Sequence, residues 1–128
     1  LRYPMLRDYQ NLVRRPMQQL AGARKWLDAI RRCSGPDPEA LTRLRERLVQ
    51  ANRTVVRLVP PEDVAGVHAT LASACQLALR SADIRERAIE SGDLQLAWNA
   101  ASAAAGAMML LAQARDQLQA ALRPPELK

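Results

Sequence analysis

The sequence lacks phenylalanine altogether, and its two tryptophans and two tyrosines bring the aromatic share to only 3%. Strand-rich domains depend on aromatic and β-branched side chains, so this scarcity disfavours a β fold. Leucine, alanine, arginine and glutamine are abundant instead, and all four are good helix formers. With 128 residues, 48% of them hydrophobic and 25% charged, the chain can bury a core of its own. We therefore expect one all-α domain over residues 1–128.

Residues that carry metal and redox chemistry are almost as scarce, with one histidine and two cysteines. They are too few for a zinc site, and the chain has no Glu-x-x-His pair for a di-iron centre. Glycine-rich phosphate loops, haem-attachment motifs and HExxH are absent as well. The acidic residues lie at predicted helix starts or in mixed-charge runs that suit intrahelical ion pairs. The sequence predicts no catalytic residue, no metal, no cofactor and no enzyme activity.

No uncharged run is apolar enough to be predicted as a membrane span. The longest covers residues 94–114, but it is mostly alanine and contains Gln95, Asn99, Ser102 and Gln113. Such a segment inserts poorly into a bilayer, so we predict a buried bundle helix instead. Leu1 is not an initiator methionine, which leaves room for a leader or anchor removed before it. The sequence assigns no cellular compartment.

Proline and glycine divide the chain into four helical segments. Breaks at residues 34–38, 59–63 and 91–93 leave predicted helices at about residues 5–32, 38–58, 61–91 and 93–122. Because the connections are short, successive helices should run antiparallel. The predicted fold is an antiparallel up-down-up-down four-helix bundle, with the first helix kinked or split near Pro16.

Apolar stripes at helical spacing predict which side chains form the core. In the first helix the predicted inward residues are Leu6, Tyr9, Val13, Leu20, Leu27 and Ile30. The second helix has the clearest stripe: Leu41, Leu44, Leu48, Ala51, Val55 and Leu58. For the third and fourth helices they are Val64, Val67, Leu71, Ala74, Ala78, Ala82 and Ile89, then Leu94, Ala97, Ala101, Ala104, Met108, Leu111, Leu118 and Leu122. Leu77, Ile84 and Leu110 lie off these stripes and suggest self-association, for instance as a homodimer.

Positive charge is concentrated in the first half of the chain. Residues 1–60 carry 13 basic and 5 acidic side chains, whereas residues 61–128 carry 6 basic and 8 acidic ones. Seventeen of the 19 basic residues are arginine. A basic half can attract nucleic acid or an anionic surface, although the interleaved aromatic residues typical of nucleic-acid binders are missing. The preferred explanation is a solvated helix face together with a genomic bias toward arginine.

A few side chains stand out as candidate interaction residues. His68 is expected near Asn52 and Asp116, and a hydrogen bond to Asp116 would satisfy its ring, with a phosphoryl-acceptor or proton-switch role as the alternative. Trp26 and Trp98 fall at the same end of the bundle and could, with Arg85, line a small anion pocket, although core packing explains them too. Cys33 and Cys75 should be about 10 Å apart along the bundle axis, too far for a disulfide.

These observations predict a non-enzymatic helical-bundle module for interaction, sensing or ligand binding. Its long amphipathic helices suit recognition of a protein partner, either itself or another chain. The alternative is a basic protein that binds nucleic acid or an anionic surface through the arginine-rich first hairpin. A catalytic function would require His68 or Cys75 to be an activated nucleophile.

Overall fold

A computed structural model describes residues 2–123, and the side chains from residue 4 onward. Within this range the chain is all-helical, as predicted, and contains no strand. Its five helices are α1 (Arg2–Gly22), α2 (Arg24–Arg31), α3 (Pro38–Arg57), α4 (Ala65–Ser91) and α5 (Leu94–Leu122).

The helix ends lie where the sequence places capping residues. Asp37 precedes α3, and its carboxylate accepts a hydrogen bond from the backbone N–H of Ala40 at 2.9 Å. Gly92 ends α4 in the left-handed conformation, with φ of 69°, and its N–H donates to the Ala88 carbonyl. Asp93 then caps α5 by accepting from the N–H of Gln95 at 2.8 Å. Two consecutive residues therefore end one long helix and begin the next.

The predicted split near Pro16 does not occur, because the first helical segment divides at Ala23. Pro16 is buried inside an uninterrupted α1. A proline in a helix removes one backbone hydrogen bond, and burial of its ring against the core offsets part of that loss. At Ala23 the backbone N–H is shared between the carbonyls of Gln19 and Leu20, at 3.0 and 3.1 Å. Gly22, a poor helix former, ends α1 just before this turn.

The third predicted helix also begins differently from the prediction. Residues Glu62–Val64 form a single 3₁₀ turn, and the α-helix starts only at Ala65. The N–H of Val64 donates to the Pro61 carbonyl at 3.0 Å, which closes this tighter turn.

Buried side chains from every helix form one continuous apolar cluster. All six predicted core residues of the first segment are buried. Of those predicted for the second helix, only Leu58, which follows the end of α3, is partly exposed. In α4, Ile89 is 40% exposed and Ala88 is buried in its place. The core residues of α5 are Ala100, Ala104, Ala107, Leu111, Ala114 and Leu118, so the predicted inward position of Leu94 is wrong: this side chain is 61% exposed.

The most extensive helix–helix contact joins α4 and α5. A Cβ atom added to Gly106 in α5 would lie 3.3 Å from Cδ1 of Leu77 in α4, so the Leu77 side chain packs closely against Gly106. Leu77, Ile84 and Leu110 pack against the core as half-buried side chains. They are therefore part of the bundle packing, and their contribution to self-association stays a prediction.

Polar contacts join the remaining helices. The amide of Gln19 in α1 donates to that of Gln50 in α3 at 3.3 Å. Arg45 in α3 forms ion pairs with Asp83 and Glu86 in α4. α2 packs against α5, and the Cys33 thiol just after α2 lies 3.8 Å from the Ala97 carbonyl.

Candidate functional site

Helix α5 carries two apolar lines on opposite sides. The inner line is the buried set from Ala100 to Leu118, spaced alternately by four and three residues. A second line has the same spacing and is rotated by about 160°, given about 100° of rotation per residue. It consists of Trp98, Ser102, Ala105, Met109, Ala112 and Asp116. We call this second line the outer seam.

The outer seam is exposed although it is largely apolar. Trp98 is 54% exposed and Met109 is 73% exposed, and Leu94 extends the same face by one turn toward the helix start. No charged side chain occurs between residues 94 and 114. A contiguous exposed apolar face of this kind marks an interaction surface more often than a solvated one.

Side-chain size varies along the outer seam. The small side chains of Ser102 and Ala105 lie at its centre, between the two large ones of Trp98 and Met109. Because small residues allow backbones to approach closely, the centre can receive another helix while the large side chains enclose it. The geometry can therefore hold an elongated apolar partner.

By length and composition alone, α5 is the one described helix that could cross a membrane. Its most apolar 18-residue window has a mean hydropathy of 1.2, and 22% of that window is buried. The inner line packs into the core in the manner of a bundle helix. The apolar surface that remains uncovered is the outer seam.

No protein-family model, curated protein or solved structure matches the chain. Function is therefore argued from the side chains themselves. The residues that sequence reasoning missed are Ser102, Ala105, Met109 and Ala112, and the signal that could have found them was the alternating spacing that starts at Trp98.

His68 is paired with Tyr9. The Tyr9 hydroxyl lies 2.9 Å from His68 Nδ1, and the two rings meet edge to face with their centres 5.7 Å apart. The predicted partner, Asp116, is exposed on the outer seam. The prediction of Asp116 as the partner did not consider α1, from which Tyr9 reaches the His68 ring.

Burial controls the ionisation of this pair. It lowers the pKa of His68 from 6.5, an effect partly opposed by a hydrogen bond to the Val55 backbone, and it raises the pKa of Tyr9 to about 12. Both rings are therefore neutral near pH 7. If the imidazole N–H donates to the Val55 carbonyl, Nδ1 is left to accept from the tyrosine hydroxyl. The arrangement stabilises the core and gives His68 little nucleophilic access.

The structure does not gather Trp26, Arg85 and Trp98 into one pocket. Trp26 is half-buried and packs against the core, with the Lys25 ammonium 4.8 Å from its ring centre. Trp98 faces outward on the outer seam. Arg85 is half-buried, and its Nε has no hydrogen-bond partner. No ring contact or hydrogen bond joins these three residues in the described part of the chain.

Both thiols are free, as predicted. Cys33 is exposed, whereas Cys75 is buried in the core. Burial raises the pKa of Cys75 to about 12, the opposite of the shift that activates a nucleophilic cysteine. Residues 2–123 also contain no group of three side chains able to hold a metal ion.

The basic residues are partly neutralised by nearby carboxylates. Arg31 and Arg32 pair with Asp28, at 2.7 and 3.1 Å, and Arg45 pairs with α4. A depression of about 550 Å³ between α3 and α4 is lined by both signs of charge, including Arg53 and Glu86. On α3 the exposed arginines without such an ion pair are Arg43, Arg47, Arg53 and Arg57.

Proposed function

We propose that this chain is a non-enzymatic helical-bundle module that binds a helix of a protein partner along the outer seam. The observation that carries the proposal is the exposed, uncharged line from Trp98 to Ala112 on a helix whose opposite side is already packed. Leaving two large apolar side chains in water gains nothing for folding, so a partner that covers them gains the burial energy.

We further propose that the helices form one antiparallel up-down-up-down four-helix bundle, in which α1 and α2 together make the first member. Contacts between neighbours support this topology. Gln19 meets Gln50 while Gly22 lies near Arg47, so residue numbers rise in α1 as they fall in α3. The ion pairs of Arg45 and the contact of Leu77 with Gly106 fit the same alternation for the later helices. The outer seam then lies on the outside of the last member.

A photo-crosslinking pair tests the proposed function in cells that produce the complete parent chain. A photoreactive amino acid at Gln113, beside the outer seam, should give discrete protein adducts. The same residue at Gln76, an exposed glutamine on α4, should give none. Adducts of equal strength at both positions, or none at Gln113, would contradict helix binding at the seam.

A second candidate function is binding of nucleic acid or an anionic surface, and the unpaired arginines of α3 support it. Arg43, Arg47, Arg53 and Arg57 are exposed along 15 residues of one helix. Such binding would weaken steeply with added salt, whereas burial of the uncharged outer seam would not. The two functions use different helices and can be separated by this dependence.

A further inference from the structure

Within the outer seam, the segment from Trp98 to Met109 has the same order of side-chain sizes in both directions. Its centre lies between Ala103 and Ala104. Trp98 and Met109 are each about 8 Å from this point along the axis, and Ser102 and Ala105 are each about 2 Å from it, at 1.5 Å per residue. The sequence of sizes is therefore large, small, small, large in both directions.

We propose that the partner of the outer seam is a second copy of this chain, with the two α5 helices antiparallel about a twofold axis at residues 103–104. This inference rests on the proposed function and specifies its partner. In a twofold interface residue i of one copy contacts residue j of the other, and residue j contacts residue i, so an axis at residues 103–104 pairs position 98 with 109 and position 102 with 105. Trp98 of each copy then packs on Met109 of the other, and Ser102 faces Ala105.

The paired side chains are chemically suited to each other. A methionine sulfur packs favourably against an aromatic ring, so the two Trp98–Met109 contacts enclose the centre of the interface on both sides. The small residues between them let the helix axes approach more closely than leucine-lined helices do. Each copy therefore contributes one large side chain to each of the two outer contacts and one small side chain to each of the two central ones.

Charge favours this face for self-association. The chain has a formal net charge of +6, so two copies repel each other at most orientations. The outer seam carries no charge between residues 94 and 114, and Asp116 is its only ionised member. Pairing through α5 brings the copies together where like charges are fewest.

A bilayer surface fits the same face less well. Helices that lie in a membrane interface have a strongly basic polar side that attracts anionic lipids. α5 contains one basic residue, Arg115, next to the acidic Asp116. Its outer side also has alanine, serine and glutamine where deep insertion requires large apolar side chains.

The area of the seam sets the expected affinity. From Leu94 to Asp116 it extends about 33 Å, and with a helix diameter of about 10 Å its footprint is about 330 Å² per copy. That is well below the roughly 800 Å² per partner of a standard stable interface. We therefore expect a reversible dimer whose population rises with concentration in the micromolar range.

Sedimentation equilibrium with charge-complementary variants tests the pairing and its register. The native chain should shift from monomer to dimer between about 1 μM and about 1 mM, the range expected for so small an interface. W98E and M109K should each weaken self-association at least tenfold, while V56E, at a comparably exposed position on α3, should leave it unchanged. An equimolar mixture of W98E and M109K should dimerise again, because position 98 of one copy faces position 109 of the other.

Several results would overturn the inference. A strict monomer at about 1 mM contradicts it, as does a dimer that W98E and M109K leave intact. A mixture that fails to dimerise rules out the antiparallel register. Binding of the native chain to anionic vesicles that W98E abolishes would assign the seam to lipid instead.

The cross-linking experiment separates this inference from the proposed function. If the chain is monomeric but Gln113 cross-links to a different protein, this inference fails and the proposed function stands. If Gln113 gives no protein adduct, the proposed function fails as well. Because positions 98, 109 and 56 are exposed, circular dichroism should show that all variants fold.

Discussion

Tyr9 and His68 form a polar pair at a core that is mostly aliphatic. Tyr9 is only 2% exposed, so its hydroxyl needs a partner, and His68 Nδ1 provides one at 2.9 Å. A buried hydroxyl without a hydrogen bond costs free energy, whereas this pair satisfies both groups while they stay neutral. The pair links α1 to α4 across the core through one directional contact.

The lowered pKa of His68 predicts a defined pH dependence of stability. In the unfolded chain the imidazole should take up a proton near its ordinary pKa of 6.5, while in the folded chain it does so only at lower pH. The contribution of His68 to the free energy of unfolding should therefore be complete above pH 6.5. It should decrease as the pH falls toward the pKa of His68 in the folded chain.

Urea denaturation at several pH values between 5 and 8 measures this effect. In H68Q the decrease should be absent over the same interval, because no group at position 68 titrates there. Equal slopes for the native chain and H68Q would show that the ring is not desolvated as described.

At the scale of the helices, the two glycines of the α4 region have opposite roles. Gly92 ends α4 with φ of 69°, a conformation that residues with a Cβ adopt only with strain. Gly66 lies in the first turn of α4. A Cβ added at either position would meet no atom within 4 Å, so the effect of alanine depends on the backbone alone.

G92A should therefore destabilise the protein by about 1 kcal/mol, because alanine must adopt the left-handed conformation. G66A should stabilise it by about 0.5 kcal/mol, because alanine has the higher helix propensity. The shift in the urea midpoint of each variant measures both values, provided that the dependence of the unfolding free energy on urea concentration is unchanged. A change of the same sign in both variants would contradict this account.

The helices differ in how well the sequence predicted them. In α3, large leucine and valine residues line one side and charged residues the other, so the buried face was predicted almost completely. In α5, alanine occurs on every side, and a hydrophobic pattern cannot tell which side faces inward. The close fit of Gly106 against Leu77 is a tertiary contact, and it orients α5 in a way that the pattern of one helix does not contain.

The break at Ala23 was missed for a related reason. Proline is the strongest local signal for an interrupted helix, but Pro16 is tolerated where its ring is buried. The outer seam was not predicted, because Trp98 was expected in a pocket and Asp116 beside His68, and the outer side of α5 became visible only when the inner line was known.

For the molecule as a whole, the apolar cluster runs without interruption through all five helices. Cys75 lies inside this cluster with no exposed surface, while Cys33 lies at the surface after α2. Exposure of Cys75 therefore requires the helices to separate, and its thiol reports on opening of the whole core.

A thiol reagent at neutral pH should modify Cys33 at once and Cys75 only slowly, because burial raises the pKa of Cys75 to about 12 and blocks access. The slow rate should increase with urea in parallel with the equilibrium for global unfolding. C33S should remove the fast phase alone. Two fast thiols in the native chain would mean that α4 is not packed as described.

Among the side chains that the structure describes, Tyr9 is the one fully buried aromatic ring, and neither tryptophan is fully buried. Trp26 is half-buried and Trp98 is mostly in water, so neither indole leaves a fully apolar environment when the chain unfolds. Indole emission should consequently change little during a thermal melt, although ellipticity at 222 nm collapses. Because unfolding changes the indole emission so little, a blue shift of the Trp98 emission at higher protein concentration would show that water has been excluded from around its ring.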